Sequence, residues 1–136
     1  MKIKKCVGAV LYDDRNRIFL MTSPKWKGFI VPGGKIEEGE TEEEALRREM
    51  KEELGIEISD LKRVGEKYKS ASSDFKDSTL EFHFIDYFAR ALQTEITPNE
   101  EVSEYGWYDA DEALKLPLLN STRELVNRFI QQRKNL

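Results

Sequence analysis

The stretch from Gly34 to Ile56, GKIEEGETEEEALRREMKEELGI, limits what this chain can fold into more than any other. Thr41 carries an N-cap side chain, and Glu44 three residues on completes a capping box. Strong helix formers follow, and Gly55 supplies a left-handed stop. The pattern predicts a helix over Glu42–Leu54. Along it Leu46, Met50 and Leu54 recur at i, i+4 and i+8, one apolar stripe suited to a core. Beside that stripe Glu49, Glu52 and Glu53 converge on a single patch. Like charges at such spacings cost about 0.2–0.5 kcal/mol per pair. They also sit in the C-terminal half of the helix, where the macrodipole disfavours anions. A helix this rich in Glu, Lys and Arg is ordinarily a solvated face. A hard divalent cation is the other solution, because Mg²⁺ takes a few carboxylate oxygens and keeps positions open for phosphate and water.

The residues around the glutamates decide between the two. The stretch resembles the signature of the Nudix hydrolase family: a glycine, five residues, Glu, seven residues, Arg-Glu, an aliphatic residue, any residue, Glu-Glu, any residue, Gly and an aliphatic residue. Gly34, Glu40, Arg48, Glu49, Met50, Glu52, Glu53, Gly55 and Ile56 occupy those places with no departure. Local richness in Glu inflates matches at the acidic places, but it does nothing for the two glycines or the arginine.

The resemblance implies an α-β-α sandwich around a mixed sheet. It also implies hydrolysis of a diphosphate linked to another group, with Mg²⁺ or Mn²⁺ as cofactor. By position in the motif, Glu52 and Glu53 are the expected metal ligands, with Glu49 a further ligand or the general base. Arg48 is expected to orient these carboxylates through ion pairs, Glu52 lying at its i+4. The backbone of Gly33, Gly34 and Lys35 is expected to face metal and phosphates, while Glu40 and Gly55 support the motif. The family often completes its site with an acid from a later loop. Here Glu100, Glu101 and Glu104 offer one, Glu101 first. Trp26 either stacks on a base or simply packs. Asn120 resembles an asparagine that reads the base in the MutT-like branch, and it would serve equally as a plain N-cap.

At 136 residues the chain reads as one domain, 1–136. With 39% hydrophobic and 35% charged residues it reads as a globular protein rather than a disordered one. No apolar run approaches a membrane span, and the start lacks the apolar region of a secretion signal. Cys6 is the only cysteine, which excludes an intrachain disulfide. A cytoplasmic monomer or homodimer is the expectation. The net charge of −4 argues against a nucleic-acid partner and is compatible with a small nucleotide whose phosphates a metal screens.

Lys2 to Tyr12 reads as a central strand, with Cys6, Gly8, Val10 and Tyr12 on one face and Val7, Ala9 and Leu11 on the other. Asp13–Asn16 is a turn, Ile18–Met21 returns as a hairpin strand, and Pro32-Gly33-Gly34 makes a tight turn. Leu61–Tyr68, Leu80–Leu92 and Tyr105–Tyr108 are further strands, separated by loops at Lys69–Ser78 and Thr94–Glu104. Asp109 or Asp111 caps a brief helix. Ser121 with Glu124 forms a second capping box for a last helix that buries Leu125, Val126 and Phe129. His83 and Cys6 read as strand and core residues.

The favoured function is a MutT-like nucleoside triphosphate pyrophosphohydrolase that releases a nucleoside monophosphate and pyrophosphate. ADP-ribose, nucleotide-sugar or dinucleotide pyrophosphatase activity is the alternative. A Nudix-fold module that senses a nucleotide without cleaving it is a third reading, disfavoured because all the motif acids are present.

Overall fold

The computed structural model of the chain describes residues 2–70 and 80–136. Strand β1 is Lys2–Tyr12, β2 Arg17–Met21, β3 Gly33–Lys35, β4 Ile58–Ser70, β5 Leu80–Ala91 and β6 Tyr105–Asp109. Helix α1 is Glu42–Leu54, α2 Ala110–Ala113 and α3 Asn120–Gln132, followed by a short 3₁₀ turn. The strands run in the order β4-β5-β1-β2-β6, with β3 also paired to β1. β1 and β5 are parallel and the other pairs antiparallel, so the sheet is mixed.

Strand alternation sends the two faces of β1 into two separate cores. Val7, Ala9 and Leu11 pack with Ile85, Tyr87 and Ala89 under the Leu46, Met50 and Leu54 stripe of α1. Val10 and Tyr12 pack with Ile18, Leu20 and Phe88 under Val126 and Phe129 of α3. The Phe129 ring lies 5.7 Å from Tyr12 and 5.4 Å from Phe88. Burying an apolar side chain of this size stabilises by about 1.5–3 kcal/mol, so these two clusters fix which helix covers which face.

Helix α1 starts and stops where its residues dictate. Thr41 Oγ1 accepts from the Glu44 amide at 3.1 Å, and Glu44 Oε1 accepts from the Thr41 amide at 2.9 Å. Gly55 closes the helix at φ 72°. Asp109 caps α2 by accepting from the Asp111 amide.

The structure departs from three local expectations. Gly33-Gly34-Lys35 is not a turn but a strand, with Gly8 opposite Gly33 and Cys6 opposite Lys35. A Cβ on Gly33 would stand 2.2 Å from the Val7 carbonyl oxygen, so only glycine lets the two backbones approach this closely. Helix α3 begins at Asn120 with Leu119 at the N-cap and no side-chain cap, so the Ser121–Glu124 box is not formed. Here the entry is held by backbone and apolar contacts. The Leu119 amide donates to the Phe29 carbonyl at 3.2 Å, and the Leu119 side chain is buried. β4 extends beyond Leu61–Tyr68 at both ends, taking in Lys69 and Ser70. The remainder of the expected 69–78 loop lies outside the described residues.

Candidate active site

The site grows from three segments brought together at one end of α1. The first is the helix itself. Arg48 Nε and Nη2 clasp the Glu40 carboxylate at 2.7 and 2.9 Å. Its Nη1 donates to Glu49 Oε1 at 2.8 Å and to Glu52 Oε2 at 3.2 Å. Its Nη2 also donates to the Lys35 carbonyl at 3.0 Å. The planar fork of a guanidinium suits this many-sided role, and an ammonium could not reproduce it. Glu40 in turn accepts from the Glu37 amide at 2.8 Å. Arg48 first, and that amide second, hold the Glu40 carboxyl down at about 2.

The second segment is β3. Gly34 leaves room for Glu49: a Cβ there would fall 2.3 Å from the Glu49 carboxyl carbon. Gly33 donates its amide to Glu53 Oε1 across 3.4 Å, a long bond for a buried carboxylate. Glu53 is only 5% exposed. Burial, then the Glu49 charge, pushes its carboxyl up to about 8. Burial also raises Glu49, against the pull of Arg48. The two neighbouring carboxylates therefore resist ionising together.

The third segment is the loop between β5 and β6, tied to the end of α1. The Thr97 amide donates to the Leu54 carbonyl at 2.9 Å and the Asn99 amide to the Glu53 carbonyl at 3.0 Å. Asn99 Oδ1 then accepts from the Glu101 amide at 2.9 Å. This anchoring carries Glu101 to the rim of a cavity of about 210 Å³ that Glu53, Gly33, Gly34, Lys35 and Trp26 also line. Glu101 Oε1 pairs with Lys25 Nζ at 3.2 Å.

Glu49, Glu53, Arg48, Glu40, Gly33, Gly34, Lys35, Trp26 and Glu101 thus stand around one location. Glu52 lies on its outer side, with a side chain 58% exposed. Gly55 closes the helix behind it, against Thr97. Asn120 is exposed on the first turn of α3 and lines neither this cavity nor the smaller one beside it, where Ser121 and Thr122 do. Trp26 both packs and lines the cavity, its ring 5.4 Å from Phe82 and 6.1 Å from Phe84. Cys6 is not a core residue: it is half-buried against the cavity, and burial pushes its thiol up to about 11. His83 stacks on Tyr68 at 4.3 Å and meets Glu66 at 3.2 Å, away from the cavity.

Sequence reasoning missed Lys4, Lys25, Phe82, Phe84 and Asp86 as cavity residues. For Asp86 a signal was available, since it is a lone carboxylate in the middle of the apolar run Phe82–Phe88.

The resemblance implies a divalent cation at this place. Among the described residues no three His, Cys, Asp or Glu groups form a ready cation cage; Glu49 and Glu52 turn an oxygen to Arg48 instead. The chemistry of the donors nevertheless fits. Glu53 is a buried carboxylate that accepts one long amide hydrogen bond, beside the second carboxylate of Glu49. Hard oxygen donors that repel one another in a half-closed pocket are what a small divalent cation neutralises. Glu53 and Glu52 would hold it, with Glu49 beside them as a further ligand or the base, and Glu101 and the Gly33 backbone in the cavity wall next to Glu53.

The fold and this site define an α/β domain in which a glutamate-bearing helix meets a glycine strand at a half-open cleft. A family model for the NUDIX domain matches residues 2–129. The chain belongs to the Nudix hydrolase family, enzymes that act on phosphoric anhydrides and generally use divalent metal ions. It is 29% identical to the NAD-capped RNA hydrolase NudC of Pseudomonas aeruginosa over 91% of this chain and 43% of that protein. It therefore spans less than half the length of that relative. It is 34% identical to the nucleoside triphosphatase NudI of an Enterobacter species over 68% of this chain and 70% of that one. Among solved structures, the Escherichia coli ORF135 protein matches with a TM-score of 0.75 at 26% identity, covering 99% of this chain and 94% of that one. The fold is shared with a MutT protein from Bacillus halodurans, at TM-score 0.75 and 23% identity over 91% and 80% of the two chains.

Proposed function

We propose that this chain is a Mg²⁺-dependent, MutT-like nucleoside triphosphate pyrophosphohydrolase that releases a nucleoside monophosphate and pyrophosphate. The observation that carries the reading is the make-up of the cavity. Lys4, Lys25 and Lys35 line it together with the carboxylates Glu53 and Glu101, while Trp26, Phe82 and Phe84 form an aromatic wall. A phosphate chain needs cations, and a base needs a flat apolar partner. Both stand in one cavity. The likeness to a nucleoside triphosphatase over two thirds of the chain points the same way.

A bound divalent cation supplies neutralisation of the phosphate oxygens and a more acidic water. The chain's own groups do the rest. Lys25 and Lys35 take the charge of the phosphate chain, and the Gly33–Gly34 backbone admits it closely. Glu49, raised by burial and oriented by Arg48, accepts a proton from water as its oxygen bonds to phosphorus. The anhydride P–O bond breaks, and its electron pair leaves with pyrophosphate. Glu40 keeps Arg48 in place and takes no part in the reaction.

The domain 1–136, a cytoplasmic setting, a small-molecule nucleotide partner and a monomeric or homodimeric state complete the proposal. No helix among the described residues is long and apolar enough to cross a membrane.

The test is a screen of ordinary and oxidised nucleoside triphosphates, ADP-ribose, NAD and dinucleoside polyphosphates with Mg²⁺, read as phosphate or pyrophosphate release, beside Glu52→Gln and Glu53→Gln. Pyrophosphate from triphosphates, lost in both variants, is the expected result. Turnover of NAD or ADP-ribose alone would replace this reading with an ADP-ribose or dinucleotide pyrophosphatase. Nucleotide binding without any turnover would make the chain a sensor.

A further inference from the structure

The loop that follows β2 brings one more donor to the cavity besides its lysine. Ser23 is the one hydroxyl side chain among the described residues that line the cavity, in a wall shared with Lys25, Glu53 and Glu101. It is 8% exposed. Its neighbour Thr22 is pinned through both backbone groups. The Thr22 amide donates to the Glu104 carbonyl at 2.8 Å, and the Thr22 carbonyl accepts from the Ser103 amide at 2.9 Å. Pro24 follows, and its ring fixes the next backbone angle. Ser23 is therefore held in place from both sides.

The oxygen and the proton of its hydroxyl have different fates. Ser23 Oγ accepts from the Lys25 amide at 3.2 Å, and the Ser23 carbonyl accepts from the Trp26 amide at 3.3 Å, which folds 23–26 into a turn. That turn uses only lone pairs. The hydroxyl proton meets no acceptor within hydrogen-bond distance among the described residues. A buried donor without an acceptor is costly in a folded chain. A donor that faces a cavity is satisfied when an acceptor arrives there. The surroundings say which kind. Lys25, whose amide the Ser23 oxygen holds, pairs with Glu101 at 3.2 Å, and both lie near enough to Glu53 to bear on its charge. Ser23 is thereby tied to the charged groups on the Glu53 side of the cavity.

We propose that Ser23 is a substrate-binding residue whose hydroxyl donates to a non-bridging phosphate oxygen of the substrate. The proposal rests on the nucleotide reading above and adds a neutral, buried donor to the cations already assigned. The Lys25 side chain is 58% exposed, so water screens its charge. The Ser23 oxygen is held out of water and fixed by its turn. A hydrogen bond from such a donor to an ionised oxygen is stronger than one made in solvent.

The test is calorimetric binding of inorganic pyrophosphate with Mg²⁺ to wild type, Ser23→Ala, Lys25→Met and the double variant. Lys25→Met removes the ammonium and keeps the amide that Ser23 accepts. Ser23→Ala should weaken pyrophosphate by on the order of tenfold in both backgrounds, with an unchanged melting curve. Ser23→Thr, which keeps the hydroxyl, should stay within about threefold of wild type. If Ser23 served only to shape the turn that places Lys25, its effect would vanish once Lys25 carries no charge. That result would overturn the assignment, as would full pyrophosphate affinity in Ser23→Ala or a loss that Ser23→Thr shares. Pyrophosphate carries no nucleoside, so the outcome is separate from the triphosphate screen. A chain that turned over ADP-ribose alone would lose the nucleoside triphosphate reading and still show the Ser23 effect.

Discussion

Glu53 offers the sharpest test of the electrostatics. Its carboxyl is pushed from 4.5 up to about 8, first by burial and then by Glu49. Between those two values the folded protein keeps a proton that the unfolded chain has released, so stability falls as pH rises through this window. At about 1.4 kcal/mol per pH unit of displacement the cost approaches about 5 kcal/mol at full ionisation. Water entry and relaxation around a carboxylate at the cavity wall reduce it, and about 2–4 kcal/mol is expected. Glu53→Gln keeps the shape of the protonated acid and removes the titration. In metal-free protein the variant should match wild type within about 1 kcal/mol at about pH 5 and exceed it by about 2–4 kcal/mol at about pH 9. Urea denaturation at both pH values, in EDTA, reads this directly. Adding Mg²⁺ at the higher pH should then stabilise wild type by mass action and leave the variant nearly unmoved. A stability difference that stays flat between the two pH values would refute the argument. A variant less stable at high pH would refute it too, because Glu53 would then be a stabilising anion.

The remaining predictions concern separate links in the chain. Gly34→Ala should fold normally, since the new Cβ meets the mobile end of Glu49 at 2.3 Å, but displacement of that carboxylate should lower kcat by about 10²-fold or more, checked by steady-state kinetics and a melting curve. Arg48→Lys should lower kcat/KM on the order of 10²-fold and raise the Mg²⁺ concentration needed for half-maximal rate, because one ammonium cannot hold Glu40, Glu49 and Glu52 together. Leu46→Ala, at a fully buried position of α1, should cost about 2–5 kcal/mol in urea denaturation. Thr41→Ala should cost about 1 kcal/mol by losing the capping box, without altering the rate per folded molecule.

Helix α1 was legible because everything that makes it is local. Thr41, Glu44 and Gly55 set its ends within the sequence of the helix itself, and its apolar stripe needs only one face to pack against. The two faces of β1 were legible for the same reason, since alternation is a property of the strand alone. Helix α3 shows where this stops. Ser121 and Glu124 have the spacing of a capping box, yet the helix start is set by Leu119 and Phe29, which are far apart in the chain. A local signal lost to a buried contact that the sequence does not announce.

The cavity lies further still from what spacing can reveal, because its walls come from several strands, helix α1 and two loops. Pro32-Gly33-Gly34 reads as a turn until β1 is known to lie against it; the glycines are there for backbone contact, with a Cβ on Gly33 excluded by Val7 at 2.2 Å. Gly8 and Gly65 lie 78 and 21 residues from Asp86 along the chain and are its neighbours only through the sheet register. Motif spacing therefore locates the glutamates and the arginine that one helix carries. The placing of Asp86 between two glycines is written across β1, β4 and β5, and only the sheet register reveals it. The helix and the sheet therefore contribute to the site through different kinds of signal: Arg48 and its glutamates by spacing along α1, and Gly33 and Asp86 by register between strands.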